Sequence, residues 1–306
     1  MISVILSTYN NEETIYHSIK SILDQSYKNF ELIIVNDCST DKTKDIIKSF
    51  KDVRIIYMEN YKNIGRSKSR NKAILIAKGD YIAIIDGDDV AVSDRLKIQV
   101  NYLINNPNVD LVATNVIFFY GKKIIGTSQL KLLSSNMFNY YLRASEMPHS
   151  TWMGKVSFFK KNKYDAKMDQ SEDSDLLFRN RSTSRYVLLK EYLVFYSTPI
   201  KPRIKYKLNQ VYLLFKSRVN QICKQNNYYY FPLVFLGLIV STILYIFGLK
   251  KNNFSSIHNK KYQNLFDKIT NNNQPTIVNI ISSLKGGGAE TIVNELHDIY
   301  KKKNIN

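Results

Sequence analysis

The sequence predicts an α/β fold: a mostly parallel central sheet covered on both faces by helices. Three observations lead there. Short Val/Ile/Leu runs recur in the first part of the chain, at Val4 to Leu6, Leu32 to Val35, Val53 to Tyr57 and Ile82 to Ile85. Each run ends in polar turn residues, and the turns give way to apolar residues at helical spacing. Strands buried on both faces read as continuous apolar runs, and their alternation with helices is the pattern of parallel crossover units.

The first strand, Val4-Ile5-Leu6, leads into Ser7-Thr8-Tyr9-Asn10-Asn11, and a helix follows from Glu12 with Ile15, Ile19 and Ile22 on one face. Phe30-Glu31-Leu32-Ile33-Ile34-Val35 is the second strand. Its end, Asn36-Asp37-Cys38-Ser39-Thr40-Asp41, is rich in turn and N-cap residues and should start the helix through Ile46 and Ile47. Val53 to Tyr57 is the third strand. Asn63-Ile64-Gly65 breaks the chain before a helix carrying Arg66, Arg70, Ala73 and Ile76, and Lys78-Gly79-Asp80 turns into the strand that delivers Asp86.

Polar residues recur where the strands end: Thr8 and Tyr9 after the first, Asp37 after the second, Asp86 and Asp88 after the fourth. Parallel strands finish on one edge, where open α/β sheets bind ligands, so these side chains should converge in one crevice. The fourth end is the most informative. Asp86, Asp88 and Asp89 crowd three carboxylates into four positions. Like charges that close are costly to desolvate unless a cation neutralises them. A hard divalent ion, held by one or two carboxylates and completed by substrate phosphates, meets that need.

Taken in order, Val4-Ile-Leu-Ser-Thr-Tyr-Asn10, the Val35 to Asp41 turn, Asn63-Ile64-Gly65, Arg70-Asn71 and Asp86-Gly87-Asp88-Asp89 resemble the successive motifs of family 2 glycosyltransferases. The resemblance implies a Rossmann-like GT-A domain over residues 1–200, a nucleotide-sugar donor and inversion at the sugar carbon. A UDP-sugar would give its sugar to a hydroxyl of a cell-surface glycan or its lipid-linked precursor. Asp37 would hold the base or ribose, with Thr8 and Tyr9 nearby. Asp86 would support the ribose and the metal, Asp88 would bind Mn²⁺ or Mg²⁺ directly, and Arg66 and Arg70 would contact the diphosphate.

Inversion by single displacement also needs a base for the acceptor hydroxyl. The segment from Gln170 to Arg179 resembles the Glu-Asp motif of the family, and that match makes Asp173 the base and Glu172 the alternative. Both open an expected helix, whose dipole favours an ionised carboxylate. Pro148-His149-Ser-Thr-Trp-Met-Gly154 resembles the acceptor-side strand, so His149 and Trp152 would line the acceptor pocket, and Asp89 falls beside the donor or acceptor sugar. The rival reading is a non-catalytic nucleotide-binding scaffold of a membrane glycan-assembly complex. The acidic set in both halves of the site speaks against it.

The rest of the chain points to a membrane. The formal charge of +18 is uneven: acidic residues are frequent up to Glu191 and then absent until Asp267, while Lys and Arg continue. No nucleic-acid-binding motif accompanies the basic stretch, so anionic lipid, not nucleic acid, is the expected partner. Residues 201–227 read as a basic amphipathic helix, with Ile204, Leu208, Val211, Phe215, Val219 and Ile222 on its apolar face. Residues 228–250 are apolar and long enough to span, while Pro232 and Ser241-Thr242 leave room for a re-entrant segment. Residues 251–274 read as a polar linker. Residues 275–306 form a β-loop-α unit resembling the start of a family 4 glycosyltransferase of the GT-B type, either a truncated stub or a docking element. No signal peptide precedes Ile2, and Cys38 and Cys223 show no disulfide spacing. The expected location is the cytoplasmic face of the bacterial inner membrane.

Overall fold

A computed structural model describes residues 1–130, 147–168, 170–198, 204–246 and 259–270. Its first part alternates as the sequence predicts: β1 (Ile2–Thr8), α1 (Ile15–Leu23), β2 (Phe30–Asn36), α2 (Thr43–Ser49), β3 (Ile55–Glu59), α3 (Arg66–Ile76) and β4 (Tyr81–Asp86). Then come β5 (Val90–Ala91), α4 (Arg95–Asn105), β6 (Leu111–Tyr120), β7 (Lys123–Thr127), β8 (Met153–Lys155), α5 (Val156–Lys161), α6 (Glu172–Asn180) and β9 (Tyr186–Ser197). One nine-stranded sheet runs β3-β2-β1-β4-β8-β6-β9-β5, with β7 beside β6.

The half from β3 to β4 is parallel throughout. The other half is mixed: β8 runs antiparallel to both β4 and β6, while β6 pairs β9 in parallel. A three-residue strand such as β8 carries too little pattern to betray its direction.

Side-chain alternation sorts the core onto two faces. Ile2, Val4 and Leu6 of β1 meet Ile15, Ile19 and Ile22 of α1 on one face. Ile5 and Ile33 meet Ala73 and Ile74 of α3 on the other, with Trp152, Phe159 and Leu176. The turn before β4 fits against β1 with no room to spare. A Cβ on Gly79 would lie 2.6 Å from the Ser3 amide nitrogen and 2.8 Å from the Ile2 carbonyl carbon, both main chain. Gly79→Ala should therefore destabilise by about 1–3 kcal/mol, read as a lower urea midpoint at unchanged slope.

Beyond β9 lie α7 (Ile204–Lys224), a turn at Tyr228–Tyr230, α8 (Phe231–Ile246) and α9 (Asn259–Thr270). Three expectations change here. The apolar face of α7 is not left for lipid: Ile222, Phe215 and Val219 pack on Phe178 of α6 and Val234 of α8. Among the described residues no helix is long and apolar enough to cross a membrane. And part of the expected polar linker is helix α9, whose Tyr262 and Phe266 pack on Ile117, Phe119 and Phe195. The unit expected at 275–306 lies outside the described residues.

Candidate active site

Register brings the strand tips together. Thr8 pairs with Asn36 and Ser7 with Asp86, so the ends of β2, β1 and β4 stand side by side. The Asp37 amide donates to the Thr8 carbonyl at 2.9 Å. Thr8 is buried and donates its hydroxyl to Asn11 Oδ1 at 2.8 Å, while Tyr9 is 46 % exposed. Asp37 uses both carboxylate oxygens. Oδ1 accepts from Asn60 Nδ2 and the Ile64 amide, at 2.8 and 2.9 Å, and Oδ2 from the Gly65 amide at 2.8 Å. This pins the Asn63–Gly65 turn, where Gly65 sits at φ 88° just before α3, a conformation that glycine adopts without strain.

From α3, Arg70 reaches under the tip of β4. It is 2 % exposed and donates Nη2 to Asp86 Oδ1 at 2.6 Å and Nη1 to Glu172 Oε1 at 2.5 Å, while Nε has no partner. Its guanidinium lies 5.8 Å from the centre of the Tyr164 ring. Burial alone would raise the Asp86 carboxyl, but the Arg70 charge outweighs it and holds Asp86 well below the usual carboxylate range. Glu172, the alternative base, is thus held in a buried ion pair with Arg70. Arg70, expected at the diphosphate, is likewise spent internally and positions its two partners.

The neighbouring acids behave differently. Asp88 is half-buried, and burial, then the Asp86 charge, push its carboxyl up to about 6. Among the described residues its one hydrogen-bond donor is its own amide. Asp173, in the first turn of α6, is pushed up to about 6 by burial and by the Glu172 charge. Asp89, expected beside the donor or acceptor sugar, is 2 % exposed and accepts from the Ser197 amide at 2.7 Å, tying the loop to the end of β9. Burial, then Asp88 and Asp86, raise it well above the usual range.

Two expected acceptor residues are also interior. Trp152 is fully buried and donates its indole N–H to the Met147 carbonyl at 3.1 Å. His149 stacks edge-on against it and shares a 2.7 Å hydrogen bond with the Tyr164 hydroxyl. Burial, then the Arg70 charge, keep its imidazole well below its usual range, hence neutral. Both support the floor of the site and offer no surface to an acceptor.

Sequence reasoning missed three residues. Tyr196 on β9 faces the acids: burial, then the charges of Asp89, Asp86, Asp173 and Asp88, push its phenol well above its ordinary value. It keeps its proton and can donate. Ser150 donates its hydroxyl toward Asp89, and it receives the Asp86 amide at 3.2 Å. Arg95 is fully buried behind the loop, donating Nη2 to the Ile84 carbonyl at 2.7 Å, with burial lowering it to about 9. Ser150 lies inside the Pro148–Gly154 segment without a role of its own there, whereas an isolated Tyr or Arg carries no motif to mark it.

Residues 3–163 match the model of Glycosyl transferase family 2. The chain belongs to that family. An uncharacterised glycosyltransferase of Methanocaldococcus jannaschii is 35 % identical over 252 residues, covering 78 % of this chain and 87 % of that protein. The Escherichia coli UDP-Glc:alpha-D-GlcNAc-diphosphoundecaprenol beta-1,3-glucosyltransferase WfaP is 45 % identical over 103 residues, which is 34 % of this chain and 41 % of that enzyme. Among solved structures, S. aureus TarS 1-349 in complex with UDP superimposes with a TM-score of 0.56 at 21 % identity, covering 72 % of this chain and 65 % of that one. Mannosyltransferase PcManGT from Pyrobaculum calidifontis, in complex with GDP-Man and Mn²⁺, gives 0.56 at 15 % identity over 88 % and 84 %. These likenesses show the GT-A fold.

For this family 2 glycosyltransferase, metal coordination needs one revision. Among the described residues no three His, Cys, Asp or Glu side chains are grouped to hold an ion. Asp86, expected to share the metal, is turned to Arg70. Among the described residues Asp88 makes no ion pair, and burial with the neighbouring Asp86 charge raises its carboxyl to about 6. One carboxylate plus substrate phosphates suits Mg²⁺ or Mn²⁺.

Proposed function

We propose that the chain transfers a sugar from a nucleoside-diphosphate donor, a UDP-sugar, to a hydroxyl of a cell-surface glycan or its lipid-linked precursor, with inversion at the sugar carbon. The observation that carries this reading is the buried ion triad Asp86–Arg70–Glu172, which ties the loop that carries Asp88 to the first turn of α6, which carries Asp173. Asp88 is suited to a metal–diphosphate and Asp173 to a proton. The UDP and UDP-GlcNAc complexes of TarS support the donor, and the undecaprenyl acceptor in the name of WfaP supports the lipid-linked class. A lipid-linked acceptor fits a location at the cytoplasmic face of the bacterial inner membrane.

In this reading Asp37, Thr8 and Tyr9 line the nucleoside end. Asp88 would hold Mn²⁺ or Mg²⁺, which when bound neutralises charge on the departing diphosphate. Asp173 takes the proton of the acceptor hydroxyl while that oxygen attacks the sugar carbon opposite the diphosphate. The bond to the diphosphate oxygen breaks, and the configuration inverts. Tyr196 holds its proton toward the acids and orients the incoming hydroxyl.

Asp173→Asn should lower kcat by about 10²–10⁴-fold and leave UDP affinity within about twofold, measured by initial rates and titration calorimetry. Lost UDP binding would remove Asp173 from the base role. Because the base is the ionised form and its pKa is raised to about 6, wild-type kcat/KM should climb as pH rises through 6 and level above it. Saturating metal displaces the Asp88 proton, so the limb that persists belongs to Asp173. A panel of nucleotide sugars in a metal-dependent hydrolysis assay tests the donor class; silence with every donor favours the scaffold.

A further inference from the structure

We propose that α7, the Tyr228–Tyr230 turn and α8 form a one-leaflet anchor on an anionic bilayer, with the catalytic domain and α9 on the same side of it. This deepens the membrane location proposed above, although its readout is lipid binding and not transfer.

The path of the chain decides against a span. α7 leaves the catalytic domain attached to α6: Ser217 Oγ donates to Asp175 Oδ1 at 2.5 Å, and the Arg218 guanidinium lies 4.5 Å from the centre of the Phe178 ring. α9 returns to the same domain. Phe266 packs against Phe119 and Phe195, with ring centres 4.6 and 5.3 Å away, and Gln263 accepts from the Ile124 amide at 2.7 Å. A crossing helix delivers the next element to the far side of the bilayer. Only residues 247–258 lie between α8 and α9. Extended, they reach about 40 Å, and a hydrocarbon core of about 30 Å does not admit irregular backbone exposed to lipid. α8 itself, with 16 residues, rises about 24 Å.

The surface fits a leaflet. Val234 turns inward to Ile222, while Phe231, Phe235, Leu236, Ile239 and Val240 are 41–51 % exposed along one stripe of α8. Tyr228 and Tyr229, 60 % and 85 % exposed, stand at its start, where aromatic rings suit the headgroup level. Lys216 and Lys224 are exposed on α7, and no Asp or Glu occurs between Glu191 and Asp267. A second copy docking on this face would bring basic surface to basic surface, whereas anionic lipid complements it. The anchor sits on α6, the helix whose first turn carries Asp173, so a lipid-linked hydroxyl would arrive at the proton acceptor from the headgroup layer.

The test is sedimentation of the full chain with vesicles of phosphatidylglycerol and phosphatidylethanolamine, against phosphatidylcholine alone. Partition should be at least about tenfold stronger to the anionic vesicles and weaken at high salt. The exposed triple variant Phe235→Glu, Leu236→Glu, Ile239→Glu should lose it by a similar factor while metal-dependent donor hydrolysis in solution is unchanged. Equal binding to both lipids, undiminished binding by the variant, or a dimer that the variant dissolves without any vesicle binding would overturn the anchor. So would digestion of a C-terminal epitope by protease outside sealed spheroplasts. If vesicle binding behaves as expected and no donor is hydrolysed, the anchor stands and the transferase reading falls.

Discussion

Asp88→Asn should lower transfer by about 10³-fold with the protein still folded. Asparagine keeps the shape of the side chain and removes its charge, while the neighbours keep their contacts: Asp86 is paired with Arg70, and Asp89 accepts from the Ser197 amide. In the proposed role Asp88 would hold the ion that neutralises the departing diphosphate, and the variant would forgo several kcal/mol of that assistance, on the order that a metal supplies. The stability readout has the opposite sign. A carboxyl whose folded pKa is raised takes up a proton more readily when native, so above about 6 its ionised form disfavours the fold relative to the unfolded chain. The variant should therefore melt no lower than wild type at neutral pH without metal. Wild-type turnover by Asp88→Asn, or a collapse of its melting transition, would each remove Asp88 from the proposed role.

Arg70→Met should destabilise by about 3–5 kcal/mol, the usual result of stripping one partner from a buried ion pair. Two carboxylates, Asp86 and Glu172, are left in a site where Arg70 was 2 % exposed. Urea unfolding measures the loss. The pH dependence identifies the cause. Asp86 has a depressed folded pKa, so the stability it draws from Arg70 is present above the unfolded value of about 4 and fades as pH falls through the folded one. The gap between wild type and variant should be widest near neutrality and narrow in acid. A gap independent of pH would mean that lost packing on Tyr164, and not lost charge, is responsible. Arg70→Lys keeps a charge but not a fork able to reach two carboxylates, and should fall between.

The strand tips were legible because the carboxylates and turn residues of the donor side sit within short, strongly patterned segments. The alternation of Val/Ile runs with helical spacing placed β1 to β4, and their common edge followed from parallel pairing. What could not be read is long-range. Asp86 and Asp88 look equivalent in sequence, and only the approach of Arg70 separates a structural carboxylate from an available one. Only the motif match ranked Asp173 above Glu172 in the sequence; that Arg70, 102 residues away, pairs with Glu172 could not be read there. Trp152 gave no cue to its burial, since a Trp reads alike as core or as a sugar platform. The landing of α9 on Phe119 and Phe195 was hidden because its polar outer face dominates the composition of a twelve-residue helix.

The strut from Asp86 through Arg70 to Glu172 bears on how relatives can be recombined. It joins the end of β4 to the first turn of α6. A chimera that grafts a new acceptor-side segment onto this scaffold must bring a carboxylate to position 172, or the host guanidinium is left half neutralised. Swaps made after Ser197 leave the strut whole, so the proposed anchor could be exchanged more freely than the segment that carries Glu172.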